Sequence, residues 1–200
     1  MRCLLNIQIL RRPPRVGGHQ YVYYLIKGMD RIVRDEKIVL FNNTFKLKGA
    51  DIPDMPEYEN QGISYKNLRV AKKIVTPLQD RFHFPMLEHM CGKFDVYHEP
   101  AHDNFPLTNA KRIVTIHDLS PVKGGFAPDD YAAEHRRFLG MMATDADEII
   151  ADSEYTRKDI IETFGVPENK VHTVYLAARE DANVIDDKSV VEEVKERYSI

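Results

Sequence analysis

A glycine pair, Gly17-Gly18, follows the first apolar run of the chain and precedes a helical pattern, with Arg11, Arg12 and Arg15 just upstream. Glycines let a backbone approach a ligand closely, and the free N–H groups at a helix start attract negative charge. The arginines would strengthen that positive field. The stretch therefore predicts an anion site, although it is neither a complete GxGxxG motif nor a P-loop. A solvated, glycine-rich turn is the alternative interpretation.

A second candidate is the pair His117-Asp118, which the apolar run IVTI delivers to its carboxyl end. Ligands of open α/β sheets bind at that edge, so the imidazole is predicted to contact substrate. A metal-dependent phosphohydrolase would need further His and Asp ligands at matched positions, and the sequence does not supply them. Alternatively, Asp118 caps a turn and His117 satisfies a buried carbonyl group.

Two other histidine pairs have ligand chemistry but unsuitable spacing. His83 and His89 flank a proline and do not share a helical face, so packing or surface roles are favoured. His98 and His102 follow another apolar run, with Glu99 beside them and a proline that prevents a regular helical pair. A metal is conceivable there, but a substrate contact or a plain loop is favoured.

A sheet is needed to bring these residues together. Short apolar runs alternate with longer helical patterns, which is typical of an α/β fold with a mainly parallel sheet. Seven runs are predicted as strands, at residues 3–10, 37–42, 63–68, 95–98, 112–116, 148–151 and 171–175.

Three segments carry apolar residues at helical spacing. Ser153 is predicted to cap the third helix and Gly165 to end it. Residues 43–62 show no periodicity and are predicted to be a loop. The apolar stripes are Val22, Leu25, Ile26, Met29 and Val33 in the first helix, Tyr131, Phe138, Leu139 and Met142 in the second, and Ile160, Ile161 and Phe164 in the third.

Composition restricts the classes of function. With 28 basic and 31 acidic residues the net charge is −3, which gives no reason to expect a nucleic-acid partner. The 2 cysteines form no CxxC pair, so they offer neither a disulfide framework nor a zinc site. No apolar run approaches the roughly 18 residues of a membrane span, and the amino-terminal segment lacks a signal-peptide pattern. We therefore expect a soluble, cytoplasmic protein.

The end of the sequence has a different character. Residues 179–200 are predicted to be a polar linker and a helix whose valines, Val190, Val191 and Val194, need something to pack against. We therefore expect residues 1–178 to form one Rossmann-like domain and residues 179–200 to lead to a further domain beyond Ile200.

Four stretches together resemble the amino-terminal half of the family 4 (group 1) retaining glycosyltransferases of GT-B fold: VGGHQYVYYLIKGM, DVYHEP, IVTIHDLSP and ADEIIADSEYTRKDIIETFGVPENKVHTVYLAA. In that family a glycine-rich loop, a histidine at a strand end and the last segment occur in this order. The resemblance covers residues 2–178. It implies one of two Rossmann-like, three-layer domains, the first mainly for the acceptor and the second mainly for the nucleotide sugar.

The resemblance also implies roles for individual residues. Gly17 and Gly18 would lie next to the donor diphosphate and acceptor, and His117 would be catalytic, in contact with the donor sugar. Ser153 and Arg157 match the family's SxxxR segment, whereas His19-Gln20 stand where many members carry other residues. Together with the candidates identified from the residues themselves, the predicted substrate- and donor-binding set is Gly17, Gly18, His19, Arg15, His98, Asp118, Ser153 and Arg157.

The implied activity is transfer of a hexose, such as mannose or glucose, from a nucleotide sugar to a glycan or lipid-linked acceptor with retention. Neither a cofactor nor an obligatory metal ion is expected, and a peripheral contact with the inner face of the cell membrane suits a lipid-linked acceptor. The chain alone is expected to bind donors weakly and to be inactive, because most donor contacts belong to the other half. The alternatives are a non-catalytic module that binds a sugar or a partner protein, and a GT-B sugar-nucleotide epimerase.

Overall fold

The computed structural model of the 200-residue chain describes residues 1–12, 17–44, 52, 55–82, 84–100, 105–123, 128–178 and 185–200. Every strand in this described part overlaps one of the predicted segments. The strands are β1 (Arg2–Asn6), β2 (Lys37–Asn42), β3 (Ile63–Asn67), β4 (Val96–Glu99), β5 (Lys111–Ile116), β6 (Glu148–Ala151) and β7 (Val171–Thr173).

The helices of the described residues include the three predicted from apolar spacing, now α1, α5 and α6, and the predicted terminal helix, α7. None of them is long and apolar enough to cross a membrane. The helices are α1 (Gly17–Ile32), α2 (Lys72–Phe82), α3 (Leu87–Cys91), α4 (Ser120–Lys123), α5 (Asp129–Asp145), α6 (Glu154–Phe164) and α7 (Lys188–Tyr198).

The seven strands form one sheet, in the order β3-β2-β1-β4-β5-β6-β7, and every pair is parallel. From β1 the chain runs outward to β2 and β3 and then returns to place β4 on the other side of β1. The carboxyl ends of β1 and β4 therefore flank the point where the strand order reverses, which is where ligands bind in doubly wound sheets. The predicted Rossmann-like α/β fold is confirmed.

Both faces of the sheet are covered, because successive side chains of a strand point to opposite sides. Leu5 packs in one apolar cluster with Val22 and Ile26 of α1, whereas its neighbour Leu4 packs in another with Leu87 of α3. A third cluster joins β5 and β6 to α5 and α6. These clusters pack helices against both faces of the sheet, which gives the three-layer arrangement and holds the strand ends at fixed positions.

The strand register sets the positions of the candidate residues. Ile116 at the end of β5 pairs with Ala151 at the end of β6. The next residues along the chain, His117 and Asp152, therefore leave the sheet side by side. On β4, His98 is in register with Leu5 of β1, so it also lies at this edge.

Several boundaries and burials differ from the sequence predictions. β1 ends at Asn6 instead of residue 10, because the Asn6 side chain accepts a hydrogen bond from the N–H of Gln8 and turns the chain into a short 3-10 helix. Tyr131 was expected in the buried stripe of α5 but is 51% exposed. Helices α2, α3 and α4 were not predicted; α2 contains Pro77 and the other two are short, so none has a long apolar period.

Helix α6 confirms the predicted caps. The Ser153 hydroxyl accepts a hydrogen bond from the N–H of Thr156 at 3.1 Å, and Gly165 has φ 65°, in the left-handed region that favours glycine. In the described parts of residues 43–62 there is neither helix nor strand, as predicted. The valines of α7 are exposed, and a domain beyond Ile200 stays a prediction.

Candidate functional site

The centre of the candidate site is a hydrogen-bonded pair, His117 and Asp152. Nδ1 of His117 lies 2.6 Å from Oδ2 of Asp152, and the two side chains are 23% and 15% exposed. Nε2 of His117 and Oδ1 of Asp152 are buried, and neither has a hydrogen-bond partner in the described part of the chain. The imidazole is thus anchored through one nitrogen, while the other has unused hydrogen-bonding capacity.

A polar chain behind this pair joins three secondary-structure elements. His98 Nε2 lies 2.9 Å from Oγ1 of Thr115 in β5, and the Tyr21 hydroxyl of α1 lies 3.3 Å from the same oxygen. The Tyr21 ring meets the His117 imidazole edge-on, with ring centroids 4.8 Å apart. The first helix, the middle strands and His117 are therefore held together at one edge.

Burial controls the protonation of these groups. Desolvation lowers the pKa of His98 to about 4, and the nearby His117 adds to the effect, so His98 is neutral at physiological pH. Desolvation raises the pKa of Tyr21, although its hydrogen bond with Thr115 lowers it, and the charge of Asp152 raises it further. Both side chains therefore act here as neutral hydrogen-bonding groups.

The start of α6 is tied to the end of β5. The Thr156 hydroxyl donates to the carbonyl oxygen of His117 at 3.3 Å, and Thr156 itself lies in the turn that Ser153 caps. Ser153 thus positions the helix beside the site, with its oxygen engaged in the cap. The predicted substrate contact of Ser153 stays a prediction.

Asp118 forms the turn that starts α4. Its Oδ1 accepts hydrogen bonds from the N–H and the hydroxyl of Ser120, at 2.8 and 2.5 Å. Although partial burial would raise the pKa of Asp118, these hydrogen bonds and the nearby His117 and His135 lower it. The capping alternative stated for Asp118 therefore agrees with its contacts.

Gly17 and Gly18 are the first two residues of α1, whereas the sequence placed them in a loop just before the helix. A Cβ atom at Gly17 would meet no described atom within 4 Å, and at Gly18 it would be in ordinary contact with Ile9. Neither glycine is required by the packing of the described chain.

His19 faces inward from α1. It is 1% exposed, its ring stacks on Tyr23 with centroids 6.4 Å apart, and neither ring nitrogen has a partner among the described residues. Arg15 lies outside the described residues, as do His83 and His102. The substrate roles of His19 and Arg15 stay predictions.

Arg157 has structural contacts. Its Nε donates to the carbonyl oxygen of Val171 at 2.8 Å, and its Nη2 to that of Glu168 at 3.0 Å. These bonds fasten α6 to the segment that enters β7. The predicted donor contact of Arg157 stays a prediction, and the observed geometry gives the guanidinium another role.

A second polar cluster lies on the other face of the same edge. The Asn6 amide donates to Glu99 Oε2 at 2.6 Å and to the Tyr97 hydroxyl at 3.2 Å, and that hydroxyl also donates to Glu99. All three side chains are fully buried. They cross-link β1 and β4 where the strand order reverses.

Sequence reasoning missed Asp152, Tyr21, Thr115 and Asn6. Asp152 had a usable signal, because it directly follows the short predicted strand at residues 148–151, just as His117 follows the strand that ends in IVTI. Tyr21 gave none, since only packing decides which helical tyrosine meets the sheet edge. Among the described residues, no group of three or more His, Cys, Asp or Glu side chains is placed to hold a metal ion.

Comparison with known proteins assigns this chain to one family. The sequence model described as Glycosyltransferase Family 4 matches residues 16–179. A search of curated proteins gave no match. Two solved structures are similar in fold: the wall teichoic acid polymerase TagF, at 11% identity and a TM-score of 0.49, and a glycosyltransferase from Rickettsia africae ESF-5, at 12% and 0.43.

The alignments with these structures cover 100% and 99% of this chain but only 44% and 49% of theirs, so the chain spans about half of either relative. With TM-scores under 0.5 they add no argument about function. The family assignment therefore rests on the sequence model, which matches residues 16–179.

Proposed function

Because this chain belongs to Glycosyltransferase Family 4, we propose that it forms the acceptor-side part of a retaining hexosyltransferase. The donor is a nucleotide sugar whose hexose is of the mannose or glucose type, and the acceptor is a glycan or a lipid-linked precursor. The reaction needs neither a cofactor nor an obligatory metal ion. A peripheral contact with the inner face of the cell membrane would bring a lipid-linked acceptor within reach.

The observation that carries this proposal is the position of His117. It lies at the carboxyl end of β5, anchored to Asp152 at 2.6 Å, with Nε2 unpartnered in the described part of the chain. A core histidine would be expected to have both nitrogens satisfied, since a buried polar atom without a partner is costly. The unused nitrogen therefore favours a role in which a ligand supplies the partner.

The chemistry follows from the charges that develop. As the bond between the sugar and the diphosphate breaks, negative charge grows on the terminal phosphate. The N–H groups of a helix's first turn have no partner within the helix itself. Helix α1 begins at Gly17, and Arg11 and Arg12 precede it in the chain, which suits an anion. The acceptor hydroxyl attacks the same face of the sugar, its oxygen forms the new glycosidic bond, and its proton passes to the departing phosphate.

Titration calorimetry of the 200-residue chain with several UDP- and GDP-sugars tests whether most contacts with the donor belong to the other domain. We expect weak binding and no transfer, because only a closed two-domain cleft excludes water and completes the phosphate site. Micromolar affinity of the chain alone for a nucleotide sugar would contradict this assignment of the donor contacts. Transfer of labelled hexose by a protein that carries this domain, with loss of transfer in His117→Ala, tests the activity itself.

A further inference from the structure

We propose that Asp152 is a positioning residue that keeps the imidazole proton of His117 on Nδ1 and leaves Nε2 as a hydrogen-bond acceptor. The group that Nε2 then takes is an O–H donor, such as a sugar hydroxyl, and not a phosphate oxygen. This last step rests on the proposed function. The assignment of the proton to Nδ1 does not.

The first argument is the chemistry of the bond. An ionised carboxylate accepts hydrogen bonds and donates none, so the 2.6 Å contact between Asp152 Oδ2 and His117 Nδ1 needs the proton on Nδ1. In metal sites and triads the partner of one ring nitrogen fixes the state of the other in the same way. A neutral ring bonded like this has a lone pair on Nε2.

The second argument is the surroundings of Nε2. It is buried, and no described residue offers it an acceptor, so a proton there would have no hydrogen bond. Among the described residues, the groups that face or neighbour the ring are Asp152, Asp118, His98 and Tyr21, and of these only Asp152 forms a hydrogen bond with it.

The third argument is that Asp152 has no other structural task among the described residues. Its Oδ1 is buried without a partner there, and its Oδ2 bonds only His117. The backbone on both sides is fixed, by the pairing of Ala151 with Ile116 and by the cap of Ser153 on α6. A half-buried carboxylate on a rigid support, with one imidazole as its partner among the described residues, is suited to orienting that ring.

The unpartnered Nε2 also points to the kind of ligand. A buried acceptor without a donor costs free energy, and an incoming hydroxyl would recover it. A phosphate oxygen is itself an acceptor and would not. Within the proposed transferase, Nε2 of His117 would therefore accept a hydrogen bond from a sugar hydroxyl, while the start of α1 binds the diphosphate.

The test is the tautomer of His117 in the 200-residue chain. Chains labelled with 15N-histidine give long-range 1H–15N spectra that show which ring nitrogen is protonated, and His117→Gln identifies the His117 signals. We expect Nδ1–H in the wild type and in Asp152→Asn, whose amide oxygen still accepts, and loss of that preference in Asp152→Ala. Asp118→Asn is the matched control, because it removes a neighbouring charge without removing the bond, and its tautomer should be unchanged.

A proton on Nε2 in the wild type would overturn the proposal, and so would an unchanged tautomer in Asp152→Ala. If Asp152→Ala does not fold, the wild-type and Asp152→Asn spectra decide. In a protein that transfers hexose, Asp152→Ala should lower kcat more than it raises KM, with partial rescue in Asp152→Asn. An Asp152→Ala enzyme with wild-type kcat would refute the positioning role, whereas a wild-type protein without transfer would refute only the proposed function and the hydroxyl that depends on it.

Discussion

The Tyr21 hydroxyl lies 3.3 Å from Oγ1 of Thr115, a residue 94 positions further along the chain. This contact joins the helix that begins with the glycine pair to β5, the strand that His117 directly follows. Gly17 lies about 6 Å along the helix axis from Tyr21, at 1.5 Å per residue. The glycine pair and the histidine, separate in sequence, thus lie at one edge of the sheet.

His117→Ala is expected to reduce kcat far more than it reduces stability. Loss of one polar contact at a centre where charge develops costs about 2.7–4 kcal/mol, or roughly 10²- to 10³-fold in rate. Thermal unfolding and single-turnover rates measured on one preparation give both quantities. A stability loss above about 3 kcal/mol with a nearly normal rate would show instead that His117 stabilises the fold and does not act in the reaction.

The stability of the chain should depend on pH through His98. Its pKa falls from 6.5 to about 4 on folding, so the unfolded chain binds the proton more readily than the folded one. The contribution of His98 to the free energy of unfolding is therefore fully present above pH 6.5 and is lost as the pH falls towards 4. The total loss is on the order of 3 kcal/mol.

Denaturant unfolding across this pH range measures the effect. His98→Gln, which retains a group able to bond Thr115 but does not titrate, should flatten the pH dependence. His172→Gln is the control, because His172 is exposed and pairs with Glu148, and the pH dependence should persist in it. Equal slopes in the wild type and His98→Gln would show that His98 is not the group responsible.

Gly17→Ala should leave folding nearly unaffected, because the added methyl group meets no described atom within 4 Å. If the backbone at this position approaches a diphosphate, the same change should weaken binding of UDP- or GDP-sugars. Gly28→Ala is the matched control: it lies in the same helix, is equally open, and should raise stability by about 0.5–1 kcal/mol without any effect on binding. Equal affinities of the two variants for the nucleotide sugar would show that Gly17 does not contribute to donor binding.

Arg157→Lys should destabilise the domain by about 1–2 kcal/mol, because a lysine cannot donate to both carbonyl oxygens of Val171 and Glu168. Chemical denaturation measures this loss. Arg136→Lys is the comparison, since its single bond to Thr163 is 3.5 Å long, and its effect should stay within about 0.5 kcal/mol. A loss of donor affinity in Arg157→Lys without a stability loss would instead support the donor contact predicted from the sequence.

Local signals in the sequence determined the strands, the principal helices and the caps of α6. The apolar runs could be located because buried parallel strands need continuous apolar residues, and Ser153 and Gly165 could be recognised because caps act within one helical turn. The same signals placed His117 and His98 at strand ends. They failed for α2, α3 and α4, which lack a long apolar period, and for Tyr131, whose exposure depends on what covers it.

Only the tertiary structure decided which of these residues meet. Asp152 becomes the partner of His117 because β5 and β6 are neighbours in register, and strand order is a long-range property that no local pattern encodes. The fold likewise directed the Arg157 guanidinium to two backbone carbonyl oxygens and enclosed His19 beneath its helix. Sequence periodicity determines which side of an element is apolar, whereas the chemistry of the site depends on contacts between elements that the chain brings together only when it folds.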